Sequence, residues 1–180
     1  MRTLARFASL ALLASSLALA QGQAPKRDPM AHFFAPSLGD LQAEAKEARD
    51  AGKRAMFVMF MWDDCPYCTR MKANVLSLPE VQEFYRQRFA ALAIDTRGAV
   101  PVTDFTGRQL TEREFARAQG IKVTPTMVFY DFDGKPLARF AGEIRDPQEF
   151  ILLGEFVATG AYRTGSFAEY KQSAASRKGS

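Results

Sequence analysis

The sequence feature that most constrains the fold is an apolar run over residues 55–62, which ends just before the two cysteines, Cys65 and Cys68. A run of this length is typical of a strand that is buried on both faces of a sheet. If the chain turns from that strand into a helix, Cys65 lies at the helix N-terminus and Cys68 lies one turn further in. Because residues i and i+3 share a helix face, the two sulfurs can then form a short disulfide ring.

The expected position of Cys65 favours its ionised form. Unpaired backbone N–H groups and the positive end of the helix dipole stabilise a thiolate there, whereas Cys68 lies deeper and ionises less readily. Reversible dithiol–disulfide exchange needs an accessible thiolate beside a shielded partner. We therefore expect Cys65 to be exposed and nucleophilic, and Cys68 to be buried.

Two other roles for the cysteine pair are less favoured. A structural disulfide gains most by closing a long loop, and this pair encloses only Pro66 and Tyr67. A tetrahedral zinc site usually needs four ligands, and besides the two thiols the chain offers one histidine, His32, which is distant in sequence. We interpret His32 as a solvated linker residue, and we predict neither a metal nor another cofactor.

Residues 1–20 have the pattern of a signal peptide. Arg2 and Arg6 precede an apolar stretch over residues 7–19, and residues 18–20 give a small-x-small cleavage pattern. The stretch is too short and too rich in Ala and Ser for a good membrane span. We expect cleavage after Ala20 and a mature protein in the periplasm. Loss of the two arginines lowers the formal charge from +4 to +2, and no basic patch with interleaved aromatics indicates a nucleic-acid partner.

The remaining chain is long enough for one domain with one sizeable core. Residues 21–37, which are rich in Gln, Pro and Ala, predict a flexible lead-in, and residues 173–180 predict a disordered tail. Between them, residues 38–172 form the predicted domain. The predicted helices are 38–51, 65–76, 79–88, 111–119 and 148–158, and the predicted strands are 55–62, 90–94, 126–130 and 136–141. Their order predicts a three-layer α/β/α domain with a mixed central sheet.

Two segments resemble the thioredoxin superfamily. One is the strand that leads into Cys65-Pro66-Tyr67-Cys68, and the other is the segment 120–129, in which Pro125 stands where the family has its cis-proline. The resemblance covers about residues 38–170 and implies a thioredoxin-like fold. Within the superfamily the chain is similar to the exported, SoxW-like group associated with sulfur oxidation. That similarity is carried by residues 63–68, 78–81, 111–114 and 150–162, whereas residues 97–110 form an insertion relative to a minimal thioredoxin.

The chain departs from thioredoxin in ways that affect the chemistry. Thioredoxin has Gly-Pro between its cysteines, whereas Pro66-Tyr67 is common in glutaredoxins; the exported context and the chain length argue against a glutathione-using glutaredoxin. The buried aspartate of thioredoxin aligns with Met59, which removes the usual proton acceptor for the buried thiol. Asp63 and Asp64 would oppose ionisation of Cys65 if they lie near its sulfur, and they fit solvated loop acids equally well.

The resemblance implies a protein-disulfide oxidoreductase in which Cys65 attacks the substrate and Cys68 resolves the mixed disulfide. It also implies a cis peptide before Pro125, which would leave neighbouring backbone groups open to an extended substrate segment. A trans Pro125 would be an ordinary proline at the start of a strand, and Trp62 could equally be a core residue. The residues expected to bind substrate are Trp62, Pro66, Tyr67, Thr124 and Pro125.

The direction of electron flow is open at this point. The Pro66-Tyr67 dipeptide and the two neighbouring aspartates argue against a strong oxidant, so we predict a reductant of protein disulfides. The resemblance implies that a membrane thiol transporter of the CcdA or DsbD kind supplies the electrons. There are two alternatives. The protein could be an oxidant or isomerase of disulfides, or it could be a module that holds a soft metal such as Cu(I) between the two thiols. The short segment before the first strand leaves no room for a dimerisation domain, so we expect a monomer.

Overall fold

A four-stranded mixed sheet forms the centre of the computed structural model, which describes residues 24–178. The predicted signal peptide (residues 1–20) lies outside the described residues, as do residues 21–23 and 179–180. The helices are α1 (Pro29–His32), α2 (Leu41–Asp50), α3 (Pro66–Met71), α4 (Pro79–Arg88), α5 (Glu112–Ala118), α6 (Pro147–Ala158) and α7 (Phe167–Lys178). The strands are β1 (Ala55–Met61), β2 (Phe89–Asp95), β3 (Pro101–Thr103), β4 (Gln109–Thr111), β5 (Thr126–Tyr130) and β6 (Pro136–Ala141).

The strand order in the main sheet is β2-β1-β5-β6. β1 is parallel to β2 and antiparallel to β5, and β5 forms an antiparallel hairpin with β6. Every residue of β1 is buried, as its continuous apolar sequence predicts. All predicted helices and strands are found with ends that differ by at most three residues, although the helix predicted over 65–76 is α3 followed by a π-helical turn, Lys72–Leu76.

Side chains that alternate along β1 enter two separate apolar cores. Phe57 and Met59 pack in the core that also holds buried side chains of α3, α4 and α6. Met56 and Val58 pack in the core that α2 and α5 cover. The prediction of a three-layer α/β/α fold with a mixed sheet is therefore confirmed. None of the helices described between residues 24 and 178 is both long and apolar enough to cross a membrane.

The segment predicted as a flexible lead-in is structured from its middle onward. Asp28 caps α1 by accepting a hydrogen bond from the backbone N–H of Met30, and the two residues after α1, Phe33 and Phe34, are only 1% and 5% exposed. The ring of Phe33 lies against Phe57, with 5.7 Å between the ring centroids. The prediction therefore does not hold here, because two adjacent aromatic side chains anchor a segment whose average composition is polar.

The same segment covers an edge of the sheet. The N–H of Ala35 donates a hydrogen bond of 2.7 Å to the carbonyl of Ala91, on the outer side of β2. Pairing of this kind protects an edge strand from pairing with other chains. His32 is the last residue of α1 and is exposed, so it belongs to a helix rather than to an unstructured linker.

The predicted disordered tail is also helical over its described part. Residues 173–178 are the end of α7, which follows a short 3-10 turn, Ala161–Arg163. Ser166 and Glu169 form reciprocal hydrogen bonds at the start of α7, and Tyr170 packs on Phe156 of α6 with 5.4 Å between the ring centroids. The small and polar residues of this segment are thus held by a helix start signal and an aromatic contact.

The insertion over residues 97–110 contains a β-hairpin that the sequence analysis missed. β3 and β4 pair across a turn in which Asp104 is only 3% exposed. Its Oδ1 accepts hydrogen bonds from the backbone N–H groups of Thr106 and Arg108, and its Oδ2 accepts one from the Arg108 side chain. Burial acts to raise the pKa of Asp104, but these hydrogen bonds outweigh it and lower the pKa to about 2.

We expect an Asp104→Asn substitution to destabilise the fold in a pH-dependent way. Because the folded-state pKa lies below the unfolded value, the carboxylate stabilises the fold above about pH 4, and this contribution is lost as the pH falls toward about 2. The substitution should lower the free energy of unfolding by about 2 kcal/mol at neutral pH, and the loss should shrink under acid conditions. Urea denaturation across this pH range measures it. Asp133→Asn, in the exposed turn before β6, should change stability by less than about 0.5 kcal/mol; a loss that does not depend on pH would contradict the assignment.

Candidate active site

A disulfide lies at the start of α3, just after the end of β1. Cys65 is the N-cap residue of α3, Pro66 is its first residue, and Cys68 lies one turn into the helix. The two cysteines are joined in a disulfide, with 5.2 Å between their Cα atoms. Proline suits the first position because it has no N–H to leave unpaired and its φ already fits the helix. The local sequence thus explains the predicted arrangement of the pair.

The sulfur of Cys65 is enclosed rather than exposed. Cys65 is 2% exposed and Cys68 is fully buried, so the expectation of an exposed Cys65 does not hold in this disulfide form. Two donors reach the Cys65 sulfur: the backbone N–H of Cys68 at 3.2 Å and the hydroxyl of Thr124 at 3.3 Å. The carbonyl oxygen of Thr124 lies 3.6 Å from the same sulfur. The contacts with Thr124 join residues 59 positions apart, which no local pattern around the cysteines reveals.

Thr124 reaches Cys65 because β5 begins where β1 ends. Thr126, the first residue of β5, is paired with Phe60 near the end of β1. The peptide bond between Thr124 and Pro125 is cis, and Pro125 is buried just before β5. The antiparallel register therefore brings the segment around Pro125 against the start of α3. The two segments singled out in the sequence lie at one site.

Exposed apolar side chains flank this enclosed sulfur. Tyr67, in the helix that starts at Cys65, is 51% exposed, and Val123, just before Thr124, is 54% exposed. Among the described residues, no partner accepts a hydrogen bond from the backbone N–H of Val123 or Thr124. Val123 was missed in the sequence analysis, and its place before Thr124-Pro125 was the available signal. Pro66 is also exposed, so access to the pair is from this side.

The acidic residues that precede the cysteine pair face solvent. Asp63 and Asp64 form the turn between β1 and Cys65, and both are exposed. Tyr67 on the other side is held by a cation: the Arg70 guanidinium lies 4.7 Å from the centre of its ring. Arg70 in turn donates two hydrogen bonds of 3.0 Å to Glu143, and the hydrogen bond from Arg70 lowers the pKa of that carboxyl. The ring of Tyr67 is thereby oriented by an ion pair between α3 and the loop that follows β6.

Trp62 is half-buried and makes specific contacts with its neighbours. Its carbonyl accepts a hydrogen bond of 3.2 Å from the N–H of Cys65, and its half-buried ring carries the Arg97 guanidinium 3.4 Å from its centre. Arg97 comes from the insertion, so the stack between these two side chains could not be predicted. Trp62 and Thr124 both line an open groove beside the disulfide.

The buried sulfur of Cys68 lies in an apolar core. Met59, Met71 and Met127 belong to the same buried cluster, and each is at most 1% exposed. Among residues 24–178 the only acidic residue that is buried as a whole is Asp104, which lies in the β3–β4 turn. No buried acidic side chain therefore takes the place of the aspartate that thioredoxin has at the position of Met59. The described part of the chain contains no cluster of three or more His, Cys, Asp or Glu side chains that could hold a metal ion.

Comparisons with known proteins agree with this geometry. A family model described as a thioredoxin-like domain matches residues 41–158. Among solved structures, the chain is similar to a thioredoxin-fold protein from Helicobacter pylori, with 21% identity, a TM-score of 0.54, and coverage of 68% of this chain and 80% of that one. It is also similar to a DsbH oxidoreductase, with 20% identity, a TM-score of 0.53, and coverage of 71% of this chain and 88% of that one. Among curated proteins, no sequence matches. Because the family model matches well over half of its length, the chain belongs to the thioredoxin-like domain family.

Proposed function

We propose that this protein is a periplasmic thiol–disulfide oxidoreductase that reduces disulfides in other proteins. The observation that carries the thiol–disulfide exchange activity, as distinct from its direction, is the environment of the Cys65 sulfur. It lies at the start of α3, receives hydrogen bonds from the Cys68 N–H and the Thr124 hydroxyl, and has the exposed side chains of Tyr67 and Val123 beside it. Donors aimed at a sulfur stabilise the negative charge that it carries as a thiolate.

The reaction transfers two electrons from the cysteine pair to the substrate. In the reduced protein, the Cys65 thiolate attacks one sulfur of the substrate disulfide, and the other substrate sulfur leaves as a thiolate and takes up a proton. Cys68, once deprotonated, then attacks the Cys65 sulfur, which releases the second substrate thiol and forms the Cys65–Cys68 disulfide. The two donors to Cys65 lower the cost of charge on its sulfur when it attacks and again when it leaves.

Backbone pairing is the proposed mode of substrate binding. The N–H groups of Val123 and Thr124 have no partner among the described residues, and they lie beside the cis peptide of Pro125. An extended segment of the substrate can accept hydrogen bonds from such groups in the manner of an added strand. Tyr67 and Trp62 would then contact the side chains on either side of the substrate cysteine.

We further propose that the protein acts as a reductant, that it is a monomer, and that it belongs to the SoxW-like group. The Pro66-Tyr67 dipeptide and the exposed acids Asp63 and Asp64 support this direction. Negative charge near Cys65 disfavours its thiolate, whereas a strong oxidant has a stabilised reduced form. A membrane thiol transporter of the CcdA or DsbD kind would return electrons to the pair after each turnover.

The reduction potential of the pair tests the direction. Trp62 is the single tryptophan of the chain, and its carbonyl contacts Cys65, so its fluorescence should report the redox state during equilibration with glutathione buffers. We expect a value between about −200 and −270 mV, together with dithiothreitol-driven reduction of insulin. A Trp62→Phe protein, followed by thiol alkylation, controls for fluorescence artefacts. A potential near about −120 mV would instead assign the protein to the oxidants.

A further inference from the structure

An open groove of about 270 Å³ lies beside the disulfide and has basic walls. Arg97 approaches it from the insertion, Arg117 from α5, and Lys122 from the loop before Pro125. We call it the basic groove and define it by these three residues. Trp62 and Thr124 line the same groove and contact Cys65 through a carbonyl and a hydroxyl group, so the basic groove adjoins the reactive sulfur.

The three cations of the basic groove form no ion pairs with acidic side chains of the described chain. Between residues 24 and 178, seven ion pairs form, and none includes Arg97, Arg117 or Lys122. Glu114 lies one turn before Arg117 on α5, and hydrogen bonds from Thr111 hold its carboxylate at the start of that helix. These hydrogen bonds are the main cause of the lowered pKa of Glu114, and the charge of Arg117 is a smaller cause. Cations that form no ion pair leave a positive potential available to a ligand.

The other acidic side chains near the basic groove either accept hydrogen bonds from the backbone or are exposed to solvent. Glu112 accepts a hydrogen bond of 3.1 Å from the backbone N–H of Asp95, and Asp95 accepts one of 2.8 Å from the N–H of Arg97. Asp63 and Asp64 are exposed in the turn that follows Trp62, and neither pairs with a basic side chain in the described chain. The walls of the basic groove therefore carry more positive than negative charge.

Arg97 is held in place before any ligand binds. Its guanidinium lies 3.4 Å from the centre of the Trp62 ring, which is a stacking distance. A stacked guanidinium keeps its N–H edge free, and that edge matches the two oxygens of a carboxylate. Because the stack already restricts the arginine side chain, binding an anion costs less side-chain entropy. This arrangement favours a carboxylate over a neutral group at the same place.

We propose that the basic groove binds acidic side chains in an extended segment that flanks the disulfide of the protein substrate. The inference rests on the proposed reductase function and specifies its substrates. A segment paired with the backbone of Val123 and Thr124 has side chains that alternate between its two faces. Side chains on the face toward Lys122 and Arg97 enter the groove, so glutamate or aspartate near the substrate cysteine strengthens docking.

Two disulfide peptides that differ only by Glu→Gln changes beside one cysteine test this selectivity. With dithiothreitol as the electron donor, we expect kcat/KM to be about tenfold higher for the acidic peptide at low salt, and the difference to shrink at high salt. The triple variant Arg97→Gln/Arg117→Gln/Lys122→Gln should bring the ratio close to one. Thermal melting of the variant establishes that it is folded.

A charge-matched variant separates the groove from the overall charge. Arg54→Gln/Arg86→Gln/Lys135→Gln removes three exposed cations that lie toward the opposite end of β1 from the disulfide, and it should keep the preference. Equal kcat/KM for the two peptides in the wild type, or a preference that survives in the groove variant, overturns the inference. Glutathione disulfide serves as a small anionic substrate. If the groove variant loses activity only with glutathione disulfide and not with the acidic peptide, binding of an extended segment is rejected.

A binding measurement keeps this inference separate from the proposed function. Fluorescence anisotropy of labelled, cysteine-free acidic and neutral peptides reports docking to the oxidised protein without any turnover. Tighter binding of the acidic peptide, lost in the groove variant, supports the basic groove even if no peptide disulfide is reduced. Absence of reduction with both peptides rejects the reductase function, whereas equal binding of both peptides rejects the groove.

Discussion

A Cys65→Ser protein should lose disulfide-reductase turnover by a factor on the order of a thousand or more, because no other side chain can take the place of the attacking thiolate. Cys65 is the sulfur that the Cys68 N–H and the Thr124 hydroxyl contact, whereas Cys68 is fully buried among apolar side chains. Insulin reduction driven by dithiothreitol measures the loss. Activity equal to that of the wild type would reject Cys65 as the nucleophile.

The Cys68→Ser protein provides the complementary result. It keeps Cys65 but cannot resolve the mixed disulfide, so covalent complexes with substrate should accumulate and disappear when a reductant is added. Mass spectrometry of the trapped species identifies which protein sulfur is bonded. The double variant Cys65→Ser/Cys68→Ser is the matched control and should trap nothing. If the Cys65→Ser protein instead formed such complexes through Cys68, the two roles would be reversed.

Burial of the disulfide makes docking important for electron transfer. Because Cys65 is 2% exposed, a thiolate can approach it only after its carrier has contacted the surroundings of the sulfur. Exchange rates depend on access as well as on thiolate character. The exposed side chains of Tyr67 and Val123 and the basic groove are the surfaces that such a partner meets first. Selectivity among partners can therefore arise from contacts that surround the sulfur.

The parts of the fold that could be predicted are those with strong local signals. The continuous apolar run of β1, the capping box at Thr111 and the proline after Asp146 each fix an element over a few residues. The hairpin of β3 and β4 escaped prediction because each strand has only three residues, too few to show a period. Its stability comes instead from the buried Asp104, whose role depends on the folded turn.

Two errors at the chain ends arose from averaging composition. Residues 21–37 have a polar average, yet the adjacent Phe33 and Phe34 decide where the segment lies. Residues 173–180 contain small and polar side chains, but the Ser166 and Glu169 cap that starts α7 lies further upstream. In each case a few specific side chains outweigh the mean hydropathy, and tertiary packing determines the result.

The candidate site divides in the same way. Cys65, Cys68 and Pro125 could be found because each stands in a short pattern. The burial of Cys65 and the stack of Arg97 on Trp62 could not, since both depend on contacts between segments that are far apart in the chain. The exposed position of Val123 also depends on how the segment before β5 meets α3. These contacts around the reactive sulfur therefore emerged only from the folded structure.

A Phe33→Ala substitution should lower the free energy of unfolding by about 3–4 kcal/mol, although the residue lies in a segment that composition alone assigns to a flexible lead-in. Phe33 is 1% exposed, and its ring contacts aromatic rings of β1, α4 and α6: Phe57, Tyr85 and Phe150 lie 5.3–5.9 Å from it between centroids. Truncation removes apolar burial and leaves a cavity between three elements, and such a cavity cannot close fully.

Urea denaturation of the Phe33→Ala protein measures this loss, with Met30→Ala as the matched control. Met30 lies three residues earlier, on α1, and is 49% exposed, so its truncation should cost less than about 0.5 kcal/mol. If both substitutions were nearly neutral, the segment before α2 would not belong to the cooperative core. A large loss confined to Phe33 would instead extend the folded domain to α1, because the stability of the sheet would then depend on an aromatic side chain from that segment.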